Sequence, residues 1–276
     1  MPDVLSRLLR SPSGAIGLGL LVLLGLLVVL GPSITPYQPT EFHPRRRFEG
    51  PSFAYWLGTD QFGRDILSRM LAGARSTILF GVVATALAGT AGTVIGVTSA
   101  FVGGTVDNLI MRMVDVFLAI PSLLLAMLIV TVLGASSVHA VLAVAVAFTP
   151  AIARIARGAT LSERTREYVQ AAVARGESRA HVIFRELLPN VGASVVVEGS
   201  IRVAFAVMLG ATLSFLGMGA QPPASDWGLL VAEARAHMFR NPWILAAPGI
   251  GIAVIAACFN LLGDGLRDAL NPKLVR

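Results

Sequence analysis

Few residues in this sequence combine the types and the spacing that catalysis or metal binding needs. Glu233 and His237 stand four residues apart, which would place both on one helix face as half of a zinc site. A zinc site takes at least three protein ligands, and no second histidine or carboxylate shares that spacing, so we expect a solvated helix face. Ser214 lies in LSFLG, which lacks the GxSxG pattern and a nearby base. The sequence therefore predicts no catalytic residue and no metal site.

The lysine content excludes nucleotide hydrolysis by way of a phosphate-binding loop. The only lysine is Lys273, in the C-terminal tail. A phosphate-binding loop of the form GxxxxGKS or GxxxxGKT therefore cannot exist in this chain. We expect any motor to be a separate chain, and we expect this chain to bind no cofactor of its own.

The composition is that of a membrane protein. Of the 276 residues 55% are hydrophobic and only 14% are charged, and the mean hydropathy is +0.73. Cys258 is the single cysteine and lies in an apolar run, which excludes a disulfide framework and a cysteine-based metal site. The net charge of +6 is expected from the positive-inside bias of membrane proteins, so we predict no nucleic-acid partner.

Long uncharged stretches predict six membrane-spanning helices. Residues 116–153 carry no charged side chain and are too long for one crossing of a hydrocarbon core of about 30 Å, so they must form a hairpin, with its break at 134–137. Pro121 and Pro150 are expected to kink their helices. Gly92 and Gly96 have the GxxxG spacing that lets two helices approach closely, although glycine is also common in membrane helices without such a contact. The expected spans are 15–30 with its flanks, 76–106, 116–133, 138–153, 191–216 and 241–263.

These spans divide the chain into three parts. Residues 1–35 hold a cytoplasmic N-terminus and an uncleaved first span, because no small-residue cleavage site follows the apolar run. Residues 36–75 form an external segment that ends in an amphipathic helix at 64–75, lying in the membrane interface. Residues 76–276 form a core of five spans with a cytoplasmic loop at 158–190 and a second external segment at 217–242.

One pair of charges interrupts an apolar span. Glu198 and Arg202 are one helical turn apart on the same face of the fifth span, so they can pair. Two interpretations stay open: a structural ion pair near the inner surface, or a pair that lines a transport pathway. An ion-coupled secondary carrier is a weaker alternative for the whole chain, since such carriers show several membrane carboxylates and Glu198 is the only one well inside a span.

The central stretch 165–190 is a charged island between two of the most apolar regions. Its spacing predicts two short helices, with Gly176 ending the first, Ser178 capping the second and Pro189 stopping it. Six spans put this stretch on the same side as both termini. Arginines are more numerous on that side, where Lys273 and Arg276 also fall, so we expect the island and both termini to be cytoplasmic.

The island resembles the cytoplasmic EAA loop of binding-protein-dependent ABC importer permeases, whose pattern is EAA, three residues, G, nine residues, I, one residue, LP. The spacing is kept throughout. Glutamine replaces the glutamate of the pattern, which keeps hydrogen bonding but not charge, and Glu186 replaces its isoleucine. The resemblance implies that this loop couples the chain to an ATPase. The matching residues are Gln170, Ala171, Ala172, Gly176, Leu188 and Pro189.

Four further segments look like the dipeptide, oligopeptide and nickel branch of these permeases, and most like its C type. They are 57–81, 114–124, 212–223 and 259–273. The resemblance implies a type I ABC importer permease in the inner membrane bilayer, forming half of a pathway with a second permease of B type. It also implies two ATPase subunits that hold ATP and Mg²⁺, and an external substrate-binding protein. Peptides are the expected substrate, with glutathione and nickel chelates as alternatives.

Overall fold

The fold is that of a computed structural model, which describes residues 2–270, with side chains from Leu5 onward. Lys273, Arg276 and the C-terminus, which entered the charge argument, lie outside the described residues. Helices make up 78% of the described residues, and no β-strand occurs between residues 2 and 270. The predicted fold class, an all-α membrane protein, is confirmed.

The helices are numbered in chain order. They are α1 (Pro2–Arg10), α2 (Pro12–Leu30), α3 (Ile66–Val102), α4 (Gly104–Ala119), α5 (Ser122–Leu133), α6 (Ser137–Glu163), α7 (Glu167–Ala174), α8 (Arg179–His181), α9 (Leu188–Phe215), α10 (Trp227–Ala234) and α11 (Trp243–Leu270). Short 3-10 turns occupy Gly31–Ser33, Pro44–Arg46 and Arg235–His237, and a π-helical turn, Val182–Leu187, joins α8 to α9.

Five of the described helical stretches are long and apolar enough to cross a membrane, and α4 with α5 makes a sixth only as a pair bent by 91°. The bend falls at Pro121, where the kink expected from the sequence is a complete break. The break expected at 134–137 is confirmed. Gly134 ends α5 with a φ of +92°, and the Ser136 side chain caps α6 by accepting from the His139 N–H at 3.1 Å.

The prediction of a separate amphipathic helix at 64–75, lying in the membrane interface, is wrong. Its residues instead form the beginning of α3, a single helix of 37 residues capped by Asp65, whose carboxylate accepts from the Ser68 N–H at 2.8 Å. Arg64, Ser68 and Arg69, expected on exposed faces, are buried. Sequence periodicity could not show this, because the partners that bury them come from distant parts of the chain.

The sequence predicted that Pro189 stops a helix, and this prediction is wrong. The helical path runs from Arg179 to Phe215 without interruption. Proline lacks an N–H and its ring collides with the carbonyl four residues earlier in a regular helix. Here the turn just before Pro189 is π-helical, with the Leu188 N–H bonded to the Ile183 carbonyl. This wider turn accommodates the proline ring, so the helix continues past it.

Close helix contacts depend on small residues. A β-carbon added to Gly96 of α3 would lie 2.3 Å from the Ala153 carbonyl oxygen of α6, and one on Gly92 would lie 2.8 Å from the Thr149 oxygen, so the GxxxG spacing marks a specific contact. Gly17 of α2 lies equally close to the backbone of α11. Beside that contact the fully buried Cys258 points its sulfur at the Gly17 carbonyl, 3.6 Å away.

Candidate functional site

The charged island forms a helical hairpin, made of α7, α8, the π-helical turn and the start of α9; we call residues 167–190 the central hairpin. Gly176 turns the chain with a φ of +78°. The Gly176 N–H bonds to the Val173 carbonyl at 3.0 Å and the Glu177 N–H to the Ala172 carbonyl at 3.2 Å, which is a Schellman motif. Ser178 then caps α8 by accepting from the His181 N–H at 3.3 Å. Both signals were read correctly from the sequence.

The interior of the central hairpin is apolar and packs on the membrane body. Val169 and Ala172 of α7 are buried against Val182 and Leu187 of the π-helical turn, and Phe101 at the end of α3 packs against this cluster. The two short helices therefore bury their apolar faces against each other and against α3. This packing fixes the hairpin to the C-terminal end of a membrane-spanning helix.

The six residues that match the loop pattern divide between the interior and the outer surface of the hairpin. Ala172 is completely buried and Leu188 is half-buried, whereas Gln170, Ala171, Gly176 and Pro189 are exposed. The Gln170 side chain donates to the Thr165 carbonyl at 3.2 Å. Beside the exposed pattern residues lie two large apolar side chains, Val173 at 55% exposed and Phe184 at 67%. The hairpin thus exposes apolar side chains among charged ones, on an interior of packed apolar residues.

Tyr168 connects three helices at the base of the hairpin, and sequence analysis missed it. Its hydroxyl donates to Glu163 Oε2 at the end of α6, 2.9 Å away, and accepts from Asn190 Nδ2 at the start of α9, 3.0 Å away. Burial and the Glu163 carboxylate raise the pKa of Tyr168 to about 12, so the hydroxyl stays protonated and able to donate. The sequence signal was slight, a tyrosine two residues before the pattern begins.

The base of α6 is held to the corner between α3 and α4. Arg157 donates from Nε and Nη2 to the two carboxylate oxygens of Asp107, at 2.7 and 2.6 Å, and Ser99 donates to the same carboxylate at 2.5 Å. Two turns further along, Arg164 donates to the Ala100 carbonyl at 2.6 Å. A bidentate arginine pair has a fixed geometry. The helix that leads into the hairpin is therefore fixed on both sides.

The tip of the hairpin carries an exposed cluster of charges. Arg175 donates to Glu177 at 2.8 Å, and His181 lies 2.5 Å from the other oxygen of the same carboxylate. The arginine hydrogen bond lowers the pKa of Glu177 below its ordinary value. The Glu177 carboxylate therefore stays ionised at neutral pH, and the tip offers both signs of charge to a partner.

Glu198 and Arg202 make the contact that their spacing predicted. Arg202 Nε lies 2.7 Å from Glu198 Oε1, and its guanidinium stands 5.5 Å from the centre of the Phe148 ring. Both side chains are partly buried. Glu198 also lines an open groove of about 410 Å³ with Ser194 and Arg267. The geometry fits a structural pair and a pathway pair equally, so a pathway role stays a prediction.

The prediction that Glu233 lies on a solvated helix face is wrong. Its carboxylate lies 2.7 Å from Arg64 and 2.8 Å from Arg69, and both arginines also contact the buried Asp60. His237 packs against the ring of Phe48 instead of sharing a ligand with Glu233. We call Asp60, Arg64, Arg69 and Glu233 the four-charge cluster. Glu233 was misjudged because its partners are about 165 residues away in the sequence.

A helical membrane body that projects a rigid helix–glycine–helix unit defines a polytopic transport subunit. The chain belongs to the family of binding-protein-dependent transport system inner membrane components, whose family model matches residues 92–276. A second model, the N-terminal transmembrane domain of oligopeptide transport permease C, matches residues 1–51. These matches confirm the family and its peptide branch as predicted, and the chain is a multi-pass protein of the inner membrane.

Named relatives cover almost the whole chain. The dipeptide transport system permease protein DppC of Haemophilus influenzae is 40% identical over 265 residues, which is 94% of this chain and 90% of the relative. The glutathione transport system permease protein GsiD of Pectobacterium atrosepticum is 40% identical over 262 residues, 94% and 87% of the two chains. The probable D,D-dipeptide transport system permease protein DdpC of Escherichia coli is 40% identical over 254 residues, 92% and 85% of the two chains.

A solved structure confirms the fold. An inward-facing form of the MetNI methionine ABC transporter contains a chain that matches with a TM-score of 0.61 at 17% identity, covering 74% of this chain and 97% of that one. The predicted type I importer permease fold is therefore confirmed.

Proposed function

We propose that this chain is the permease subunit of an ATP-driven, binding-protein-dependent importer of di- or oligopeptides. It forms half of the translocation pathway and couples to a separate ATPase through the loop 165–190. The central hairpin carries this proposal, since it is a packed unit joined to α3, α6 and α9 that leaves Val173 and Phe184 exposed. Relatives named for dipeptide transport support peptides as the substrate class. A relative named for glutathione transport keeps that tripeptide as the second candidate.

Coupling follows from how the hairpin is held. An ATPase seated on Val173, Phe184 and the exposed pattern residues would move the hairpin when it closes on ATP. Because Tyr168 bonds both to α6 and to α9, these two membrane-spanning helices would move with it as one body. Rigid-body movement of helices about a site at the membrane midplane is how alternating access is achieved.

The remaining components are supplied by other chains. Two ATPase subunits would hold ATP and Mg²⁺, so this chain would bind no cofactor and catalyse no reaction. A second, B-type permease would complete the pathway, and an external binding protein would deliver the substrate. In this arrangement the central hairpin and both termini are cytoplasmic.

The docking surface can be tested with substitutions on exposed side chains. Val173→Glu with Phe184→Glu adds charge to an apolar contact without disturbing the buried hairpin interior. We expect the double variant to insert normally but to lose the ATPase subunits during purification of the assembled complex. Phe53→Glu, on a fully exposed aromatic of the 36–65 segment, is the matched control and should retain the ATPase subunits. Equal ATPase recovery from the double variant and the control would disprove this docking site.

A further inference from the structure

The segment 36–65 and the loop after α10 fold together into one surface at the N-terminal end of α3. Asn241 Nδ2 donates to the Glu49 carbonyl at 3.0 Å and to the Thr59 carbonyl at 3.4 Å. The rings of Phe48 and His237 lie 5.2 Å apart. Two stretches far apart in the sequence therefore present a single face, and we call its exposed guanidinium groups the arginine face: Arg45, Arg46, Arg47, Arg235 and Arg240.

The positive charge of the arginine face is not cancelled from below. Beneath it lies the four-charge cluster, in which two arginines and two carboxylates balance each other. Asp65 is occupied in capping α3. Asp226 caps α10 while burial raises the pKa of its carboxyl. Near the surface Glu49 lies 3.9 Å from Arg46 and Glu41 lies 3.5 Å from His43, so two carboxylates stand against five exposed arginines.

Several of these arginines are held in place by aromatic rings. Arg46 stands 5.5 Å from the centre of the Tyr55 ring, Arg240 stands 5.4 Å from that of Phe48, and Arg235 stands 5.3 Å from that of Phe215. A guanidinium positioned by an aromatic ring loses less freedom when it binds a carboxylate. Arginine with aromatic residues is also the composition typical of protein interfaces.

The arginine face lies beyond the end of the first span. The first span ends where Gly31 packs against the Leu71 carbonyl. α3 begins at Ile66, five residues earlier than Leu71, which extends the helix about 7.5 Å further at 1.5 Å per residue. The headgroup layer on each side of a bilayer is about 5–7 Å thick. The segment 36–65 packs around this projecting part of α3, with Phe48 and Leu57 in one apolar cluster with Ile66 and the Tyr37 N–H bonded to Ser68. Its exposed arginines therefore lie outside the hydrocarbon core, where we expect them to meet a protein.

The face and the central hairpin lie at opposite ends of the molecule. α3 starts beneath the arginine face and ends at Phe101 and Val102 on the hairpin, and its 37 residues span about 55 Å. A partner on the arginine face therefore cannot be the ATPase that the hairpin would receive. It must approach from the other side of the membrane.

We propose that the arginine face is the docking surface for an acidic patch on the external binding protein. This inference rests on the proposed function and names the residues that would receive that partner. Charge complementarity of this kind speeds association and weakens with salt.

The test uses the assembled transporter in nanodiscs with the purified substrate-binding protein of the same system. Within residues 2–270 the exposed side chains of Arg45 and Arg47 make no hydrogen bond, ion pair or ring contact, so the variant R45E/R47E reverses two charges and breaks none of these interactions. We expect the binding-protein concentration that half-stimulates ATP hydrolysis to rise about tenfold, with less dependence on salt, while the unstimulated hydrolysis is unchanged. The charge-preserving variant R45K/R47K should behave like the unaltered protein.

Each other outcome has a distinct meaning. Unchanged half-stimulation in R45E/R47E would overturn the arginine face alone. An effect of the glutamates seen only in nanodiscs that contain phosphatidylglycerol would assign the face to anionic lipid and also overturn the proposal. Absence of any stimulation with the unaltered transporter would instead contradict the proposed function.

Discussion

Tyr168 shows how much one side chain can connect. Its hydroxyl is the shared atom of two hydrogen bonds that join the end of α6 to the start of α9 across the base of the central hairpin. The proposed coupling needs these helices to move together, and the two hydrogen bonds join them in addition to the apolar packing between α6 and α9. The bond to Asn190 could not be predicted from the sequence, because Asn190 lies 22 residues away and only the fold brings it near.

The Tyr168 hydroxyl can be removed without changing the ring. For Tyr168→Phe we expect a loss of about 1–2 kcal/mol from two hydrogen bonds, too little to prevent assembly. We expect ATP hydrolysis to continue while less substrate is imported for each ATP, measured as the two rates in the same vesicles.

The control for this variant is Tyr37→Phe, which removes a single exposed hydrogen bond to the Ala54 carbonyl at the opposite end of the molecule. If both variants keep the same ratio of import to hydrolysis as the unaltered protein, Tyr168 has only a structural role.

Among the helices and turns, local signals were predicted well and long-range ones were not. Gly176, Ser178 and the break after Leu133 follow from backbone conformation and capping, which depend on neighbouring residues. The turn at Pro189 and the start of α3 were misjudged. In the first case a π-helical turn accommodates the proline, and in the second case buried charges from elsewhere neutralise the polar side chains.

Gly176 sets the shape of the central hairpin through its positive φ. A side chain at this angle costs about 1–2 kcal/mol, although open space surrounds the position. We expect Gly176→Ala to speed amide hydrogen exchange in α7 and α8 and to reduce stimulated ATP hydrolysis.

Gly158→Ala provides the comparison, because that glycine lies within α6 at an ordinary helical angle and also has open space. Alanine there should slow exchange or leave it unchanged. Similar exchange in the two variants would mean that the hairpin does not depend on the conformation of Gly176.

At the scale of the whole molecule, the two ends of the protein are built differently. The central hairpin end is closed by apolar packing, and the opposite end is closed by the four-charge cluster, which ties α3, α10 and the segment 36–65 together. The family, five of the membrane spans and the central hairpin were predictable because hydropathy and motif spacing carry them, whereas the predicted span 116–133 is broken by the bend between α4 and α5. The four-charge cluster was not predictable, because the sequence does not show which distant residues a charged side chain contacts in the fold.

The four-charge cluster predicts strongly coupled substitutions. Arg69→Met alone leaves the Glu233 and Asp60 carboxylates with a single arginine, which should cost about 3–5 kcal/mol. Arg69→Met with Glu233→Met removes one charge of each sign, and Arg64 still pairs with Asp60 at 2.6 Å. We expect the double variant to unfold at a higher temperature than Arg69→Met, measured by thermal unfolding in detergent. Additive losses would show that the four charges act independently.

The burial of Cys258 between α2 and α11 has a practical consequence. The chain has a single thiol, and it is fully shielded from solvent. Reagents that attach spin labels or fluorophores to cysteine would not react with Cys258, so the natural sequence already serves as an unreactive background. A cysteine introduced at Phe53 and another at Phe184, both highly exposed, would report the distance between the two ends of the protein during a transport cycle.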